Sequence, residues 1–243
     1  MIWALHGFLG RGVDWHPFGD LLRELGDGEP RTPDLFSSPA NTRQTPAEWA
    51  RAFVARIAAE DPSPSIVGYS MGGRLALHAL LARPGLFERA TLVSTGLGID
   101  DPDLRNARLL SDERWATRFE TDDWDTVIAA WNSQEVFGGA RPVTERREGD
   151  FNRMALGGAL RSWSPAAHEP LAQRLPGIET PVLLIAGEQD ARYAREAERA
   201  ARLLPNARVS IVPAAGHRVP WEQHERFSES LRSFFQTSHH EIP

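Results

Sequence analysis

The chain of 243 residues contains no cysteine. Disulfide bonds, zinc–thiolate sites and cysteine nucleophiles are therefore excluded. The absence is compatible with a reducing compartment. Covalent or acid–base chemistry must come from other side chains, among which serine, histidine and the carboxylates are available.

Lysine is also absent, so all 27 basic residues are arginine. GC-rich codon usage accounts for this bias, because nothing requires every surface cation to be planar. The number of arginines therefore does not locate a site. The net charge is -6, and residues of both signs are interspersed, so no basic face for nucleic acid is visible.

Long apolar runs are missing as well. No window approaches the roughly 18 to 20 apolar residues of a membrane span, and the first ten residues, MIWALHGFLG, lack the basic and apolar regions of a signal peptide. We therefore expect a soluble, cytoplasmic protein without a membrane span. The sequence does not indicate its oligomeric state.

Short apolar runs alternate with amphipathic segments, and 41% of the residues are hydrophobic. The apolar runs predict buried strands, and the helical spacing between them predicts amphipathic helices. This alternation indicates an α/β fold, a mostly parallel sheet flanked by helices. The predicted strands are residues 2–5, 65–68, 90–94, 182–186 and 209–212, and the predicted helices are residues 46–60, 72–83, 191–204 and 222–235.

Residues 96–170 interrupt this alternation. They are rich in Trp, Arg, Asp and Glu, with helical stretches at residues 103–119 and 124–131 and no credible strand. We interpret them as a helical lid over the carboxyl ends of the strands, where ligands bind in such sheets. The predicted organisation is a core of residues 1–95 and 171–237, the lid, and a tail at residues 238–243. His239 and His240 in the tail lack the spacing of a metal site.

Ser70 is the predicted nucleophile or base. It lies in Gly68-Tyr69-Ser70-Met71-Gly72, between a predicted strand and a predicted helix. A sharp turn at this point crowds the backbone, so glycine two residues before and after the serine allows the chain to close. This context makes the short Gly-x-Ser-x-Gly pattern more specific than it is alone.

His217 and Asp190 complete the predicted triad. A serine hydroxyl needs a neighbouring imidazole to accept its proton, and His217 follows the last predicted strand in Ala214-Ala215-Gly216-His217. Asp190 follows the preceding strand and can hold the imidazole in the required tautomer. The order Ser70, Asp190, His217 is the order in which the α/β-hydrolase fold presents a triad. Glu188 is the alternative third member.

Two backbone amides are candidates for an oxyanion hole. Leu5-His6-Gly7-Phe8 forms a glycine turn after the first strand, and the amide of Phe8 can join that of Met71 to stabilise a developing negative charge. His6 follows the same strand, and we expect it to order the neighbouring loop.

The chain resembles the α/β-hydrolase superfamily along its whole length, beginning at that family's usual third strand. Within that superfamily, four stretches of the chain resemble the 2-succinyl-6-hydroxy-2,4-cyclohexadiene-1-carboxylate (SHCHC) synthases. They are Leu5 to Gly10 with Asp14-Trp15, the Gly68 to Arg74 motif, Arg105 and Arg108 before Ser111 to Trp115, and Trp131 before Val136-Phe137. The resemblance implies a carbon–oxygen lyase of menaquinone biosynthesis that eliminates pyruvate without a cofactor. Its triad abstracts a ring proton, with Ser70 as the base.

The resemblance also implies a substrate with three carboxylates, which guanidinium groups bind bidentately. The family pattern assigns substrate contacts to Tyr69, Arg74, Arg108 and Trp131. A further lid arginine is expected downstream, and Arg153 is chosen over Arg146 and Arg147 because it precedes Leu156-Gly157-Gly158.

Three points leave alternatives open. Residues 33–39 replace the Pro-Gly-His-Gly turn of many superfamily members, so one wall of the pocket is not defined by the resemblance. An ester or thioester hydrolase would use Ser70 as a nucleophile, although a neutral acyl pocket is normally apolar. A small-molecule receptor on the same fold would not need an intact triad.

Overall fold

The structure, a computed structural model, describes residues 1–140 and 142–237. The tail at residues 238–243, with His239 and His240, lies outside the described residues. Within the described residues, no helix combines the length and the apolar character that crossing a bilayer requires.

Five parallel strands form one sheet in the described part of the chain, in the order β1-β2-β3-β4-β5. Arg31 adds a single parallel bridge beside Trp3. The predicted α/β fold is confirmed, and β5 begins two residues before its predicted start. The strands are β1 (Ile2–Leu5), β2 (Ser65–Tyr69), β3 (Ala90–Val93), β4 (Val182–Gly187) and β5 (Ala207–Val212).

Helices cover both faces of this sheet. The α-helices are α1 (Gly19–Gly26), α2 (Pro39–Thr42), α3 (Pro46–Glu60), α4 (Met71–Ala82), α5 (Pro102–Thr121), α6 (Trp124–Asn132), α7 (Arg153–Ser162), α8 (Ala191–Ala201), α9 (Val219–Glu222) and α10 (His224–Gln236). Short 3-10 helices lie at Gly12–Phe18, Glu135–Phe137, Glu148–Asp150 and Ala172–Gly177. The sequence patterns did not predict α1, α2, α7 or α9, and the predicted helix at residues 222–235 corresponds to α10.

The sheet separates two hydrophobic clusters because successive strand residues point to opposite faces. In β1, Trp3 and Leu5 join the cluster that contains α3 and α4. Ile2 and Ala4 join the other cluster, which contains residues of α1 and α10. All four residues of β1 are buried, which explains why the strand reads as a continuous apolar run.

The segment between β3 and β4 carries α5, α6 and α7. Phe119 of α5 is fully buried and contacts Phe8, with ring centroids 5.2 Å apart. After α7, the Trp163 indole N–H donates to the carbonyl of Gln44 at 3.0 Å. These contacts hold the helical segment against the loops at the carboxyl ends of the strands.

Candidate active site

Ser70 lies at the sharp turn between β2 and α4. Its backbone adopts φ 53° and ψ −110°, a conformation that residues with a side chain rarely adopt. The flanking glycines permit the turn. A Cβ on Gly68 would lie 2.6 Å from the carbonyl oxygen of Gly72, and a Cβ on Gly72 would collide with the carbonyl oxygens of Leu5 and His6. The geometry is that of a nucleophile elbow.

His217 connects Ser70 to Asp190. Ser70 Oγ lies 3.0 Å from His217 Nε2, and His217 Nδ1 lies 2.6 Å from Asp190 Oδ2. The imidazole and the carboxylate are both buried, with exposed fractions of 4% and 8%. When Nδ1–H donates to the carboxylate, Nε2 can accept the hydroxyl proton. This relay can activate the Ser70 oxygen as a base or as a nucleophile.

The start of α8 positions Asp190 for this role. Asp190 Oδ1 accepts a hydrogen bond from the Tyr193 backbone N–H at 3.4 Å, while its Oδ2 faces His217. Glu188, the alternative third member, instead accepts from the Ala214 N–H at 3.1 Å. The structure therefore places Asp190, and not Glu188, beside the imidazole.

The two predicted oxyanion donors border the same cavity as Ser70. Phe8 and Met71 both line it, and within the described residues neither backbone N–H has a backbone acceptor. Met71 is the first residue of α4, where amide groups have no partner inside the helix. Both amides are thus available to a negatively charged oxygen in the cavity.

His6 fixes the loop that carries Phe8. Its Nδ1–H donates to the carbonyl of Gly7 at 2.8 Å, and its Nε2 accepts from the Leu35 N–H at 2.9 Å. Burial lowers the His6 pKa to about 4, so the ring is neutral near pH 7. Through Leu35, this imidazole also attaches residues 33–39, which replace the turn common in the superfamily.

The cavity at Ser70 has a volume of about 380 Å³ and lies between the sheet edge and the helical segment. Its wall combines aromatic rings with cationic side chains, an arrangement that suits an anionic ligand with an apolar ring. The side chains and backbone that line it belong to Phe8, Tyr69, Ser70, Met71, Arg74, Arg108, Ser111, Asp112, Trp115, Trp131, Gln134, Glu135, Val136, Phe137, Ala159, Leu160, Trp163, Ser164, Arg192, Tyr193 and His217.

Arg74 is the most unusual group in this wall. Its residue is only 8% exposed, and one guanidinium nitrogen, Nη2, donates to the carbonyl of Trp163 at 2.8 Å. Its Nε is buried without a hydrogen-bond partner, and no carboxylate of the described chain forms an ion pair with it. Burial lowers the Arg74 pKa to about 10, so the group remains cationic at neutral pH.

Three other predicted contact residues also line the cavity. Arg108 Nε donates to Asp112 Oδ2 at 2.8 Å on α5. The Trp131 ring lies 4.6 Å from that of Phe8, measured between centroids. Burial raises the pKa of the Tyr69 hydroxyl above its ordinary value, so it stays protonated at neutral pH.

The structure does not bring Arg153 to the cavity. Its guanidinium donates to the carbonyls of Phe119 and Asp122 and pairs with Glu148. The two carbonyls lie at the carboxyl end of α5, where the last carbonyls lack partners within the helix. The Arg153 guanidinium therefore has its hydrogen-bond partners at the end of α5 and links α7 to α5. The spacing of the arginines in the sequence did not reveal this role.

The two arginines that were set aside are also held outside the cavity. Arg146 forms a two-nitrogen contact with Asp14, at 2.8 and 2.7 Å. Arg147 pairs with Glu145 at 3.0 Å on the surface. None of these three arginines therefore lines the cavity at Ser70.

Several cavity residues were not predicted from the sequence. Tyr193 lies 4.6 Å from the His217 ring between centroids, and its place three residues after Asp190 was an available signal. Arg192 lies beside it in the first turn of α8. Trp115 and Trp163 come from the helical segment, where aromatic residues give no indication of the face they occupy.

The polar groups around Ser70 include an imidazole, carboxylates, guanidinium groups, hydroxyl groups and backbone amides. These groups can transfer a proton and bind an anion. Within the described residues, no three His, Asp or Glu side chains are grouped so that they could hold a metal ion.

Comparison with known proteins gives three similarities. The model of the alpha/beta hydrolase family matches residues 4–230. A Bacillus subtilis (strain 168) protein with the provisional name 2-succinyl-6-hydroxy-2,4-cyclohexadiene-1-carboxylate synthase is 29% identical over 95% of this chain and 88% of its own length. A Yersinia pestis protein named as the same synthase is 27% identical over 98% of this chain and 88% of its own length.

Solved structures have the same architecture. MenH from S. aureus superposes with a TM-score of 0.86 at 25% identity, covering 97% of this chain and 92% of that one. A thermophilic esterase from Thermogutta terrifontis superposes with a TM-score of 0.73 at 21% identity, covering 97% and 89%. The esterase likeness concerns the fold alone.

Proposed function

We propose that this chain, which belongs to the alpha/beta hydrolase family, is a carbon–oxygen lyase of that fold. Its substrate is 2-succinyl-5-enolpyruvyl-6-hydroxy-3-cyclohexene-1-carboxylate, and its products are pyruvate and SHCHC. The reaction belongs to menaquinone biosynthesis. The names of the Bacillus and Yersinia relatives support this proposal.

The reaction is a proton abstraction followed by loss of a leaving group. His217 Nε2 takes the proton of Ser70 Oγ, and Oγ removes the proton from ring carbon 2, which is next to the succinyl carbonyl. The electron pair shifts to form the 2,4-diene, and the bond between carbon 5 and the enolpyruvyl oxygen breaks. The leaving group departs as an enolate, and the proton held by His217 protonates its terminal carbon to give pyruvate, so atoms and charge balance.

Negative charge develops on the succinyl carbonyl oxygen while the ring proton leaves. The Phe8 and Met71 amides can stabilise this oxyanion without reorganising during the reaction. Asp190 keeps the His217 Nδ1–H oriented and stabilises the imidazolium that forms. The same relay then returns a proton after the leaving group has departed.

The observation that carries the proposal is the buried Arg74 guanidinium. A buried charge without a carboxylate partner is costly, and Arg74 lines the cavity with its Nε unpaired. A carboxylate of the substrate would supply the missing acceptor and the missing negative charge. A neutral acyl substrate would leave this cost uncompensated.

The direct test measures pyruvate release from the enolpyruvyl substrate. We expect turnover by the intact chain and a loss of about a hundredfold in kcat/KM for Arg74→Ala, the scale of a lost charge-assisted contact. Arg83→Ala, an exposed position just beyond α4, is the matched control and should change kcat/KM less than twofold. Unchanged turnover in Arg74→Ala would remove Arg74 from the site.

A second candidate function is hydrolysis of a carboxylic ester or thioester. The assembled Ser70, His217 and Asp190 relay favours it, because the same geometry serves an acyl-enzyme mechanism. An ester probe that gives a burst and a covalent adduct on Ser70, with no pyruvate released from the enolpyruvyl substrate, would establish hydrolysis instead of elimination.

A further inference from the structure

Arg192 is a third arginine in the wall of the catalytic cavity, beside Arg74 and Arg108. It follows Asp190 by two residues, in the first turn of α8, and its side chain is exposed at the rim. Its guanidinium carbon lies 5.6 Å from the ring centroid of Tyr193, which packs on His217. Arg192 is thus attached to the same turn as the catalytic carboxylate.

The three arginines share one electrostatic field. Burial is the main cause of the lowered pKa of Arg74, and the charges of Arg108 and Arg192 lower it further. The carboxylates in the wall are Asp112 and Glu135; Asp112 pairs with Arg108. Within the described residues no carboxylate lies at ion-pair distance from Arg192, so a ligand anion can bind to it.

Arg192 also borders a second cavity of about 850 Å³. Glu135, Val136 and Phe137 line both spaces. Of the three cavity arginines, Arg192 is the only one in the described chain that lines both spaces. An anion bound to it would therefore lie at the border of the two cavities.

We propose that Arg192 binds the carboxylate of the enolpyruvyl leaving group. This inference rests on the proposed function. Two carboxylates of the substrate remain on the ring product, and Arg74 and Arg108 line only the catalytic cavity. The third carboxylate leaves with pyruvate, and Arg192 is the arginine of the catalytic cavity that also lines the second cavity. Its planar donor fork can bind a carboxylate through two hydrogen bonds.

The test separates ligands by the carboxylate that they carry. The binding affinities of the enolpyruvyl tricarboxylate and of 2-succinylbenzoate are measured by calorimetry in the Ser70→Ala background, where the tricarboxylate is not consumed. The succinylbenzoate keeps the ring and succinyl carboxylates and lacks the enolpyruvyl group. Arg192→Gln should weaken the binding of the tricarboxylate by roughly tenfold to a hundredfold, the range for a charged hydrogen bond. The same variant should change the affinity for succinylbenzoate less than twofold.

Two further variants exclude a general effect. Arg195→Gln, at an exposed position one turn further along α8 and outside both cavities, should leave both affinities within twofold. Arg192→Lys, which keeps the charge, should recover part of the tricarboxylate affinity. Equal weakening of both ligands by Arg192→Gln, or no weakening of either, would overturn the assignment to the leaving group.

The proposed function can fail separately. If the Ser70→Ala chain binds neither ligand and the intact chain releases no pyruvate, both the lyase proposal and the Arg192 assignment are overturned. If pyruvate is released and the tricarboxylate binds equally well to the Arg192→Gln variant, only the assignment of Arg192 is overturned.

Discussion

At the scale of single residues, the site stores conformational strain at Ser70. The flanking glycines relieve crowding of the backbone, but Ser70 itself keeps φ 53° and ψ −110°. Such a conformation costs on the order of 1 to 3 kcal/mol for a residue with a Cβ. The turn places the hydroxyl 3.0 Å from His217 Nε2, so the catalytic role that we propose for Ser70 and the stability of the fold oppose each other here.

Ser70→Gly should therefore raise the free energy of unfolding by about 1 kcal/mol, because glycine adopts this conformation without a Cβ clash. Ser70→Ala is the control, since it removes the hydroxyl and retains the Cβ. Both variants should lose turnover, and denaturant unfolding should show the gain only for glycine. Equal stability of the two variants would contradict the presence of strain at this residue.

At the scale of elements, two loops meet at the carboxyl end of β1. His6 joins the loop that carries Phe8 to residues 33–39 through two hydrogen bonds. Its pKa is lowered by burial to about 4 from an ordinary value of 6.5. Between these two pH values the unfolded chain binds a proton at His6 that the folded chain does not bind. The stability that depends on a neutral His6 is therefore complete above pH 6.5 and is lost as the pH falls towards 4.

His6→Gln should flatten the pH dependence of unfolding. Between pH 6.5 and 4 the intact chain should lose up to about 3 kcal/mol through His6 alone, and the variant should lose correspondingly less. His16→Gln, at an exposed position, should leave the slope unchanged. Urea unfolding at several pH values measures the difference, and identical slopes for His6→Gln and the intact chain would contradict this account.

A buried ion pair joins the segment of residues 142–147 to the 3-10 helix at Gly12–Phe18. Arg146 and Asp14 have side chains that are only 8% and 2% exposed. Asp14 also accepts from the Arg11 N–H at 3.0 Å. Removing one partner of such a pair leaves an uncompensated buried charge. The neighbouring Arg147 and Glu145 pair is about three-quarters exposed, at 76% and 74%.

Arg146→Gln should lower the free energy of unfolding by about 3 kcal/mol. Arg147→Gln, at the adjacent and exposed position, should cost less than about 0.5 kcal/mol. In the Asp14→Asn and Arg146→Gln double variant, the loss should be smaller than the sum of the single losses. Additive losses would show that the two side chains do not stabilise each other.

At the scale of the whole molecule, the helical segment and the sheet share one hydrophobic cluster. Phe119, Leu156 and Trp163 of the segment belong to the same cluster as Leu75 and Trp49. We propose residues 96–170 as a lid and residues 1–95 with 171–237 as the core. The shared cluster indicates that the two parts unfold together.

Phe119→Ala should destabilise the entire chain by about 4 kcal/mol, because its ring is fully buried and its loss leaves a cavity. Leu110→Ala on the same helix, 62% exposed, should cost less than about 0.5 kcal/mol. Tryptophan fluorescence and far-UV circular dichroism should report coincident transitions in both variants. Separate transitions in Phe119→Ala would show that the lid unfolds on its own.

The sequence by itself determined the fold class and the places of the five strands along the chain. Ser70, Asp190 and His217 each follow a predicted strand, and parallel strands bring their carboxyl ends to one edge. The inference depends on local patterns: apolar runs, a glycine on either side of a turn, and the order of three residue types. These patterns are encoded within a few neighbouring residues, so no knowledge of distant contacts was required.

Only the tertiary structure decided which arginines face the cavity. Arg153 was chosen from its spacing, but it closes the end of α5, whereas Arg192 lines the cavity and was not predicted. An arginine side chain is long and can reach a carbonyl, a carboxylate or a cavity from the same position in a helix. Which one it meets depends on how α5 and α7 pack and where α8 begins, and that arrangement arises from contacts between residues far apart in the sequence.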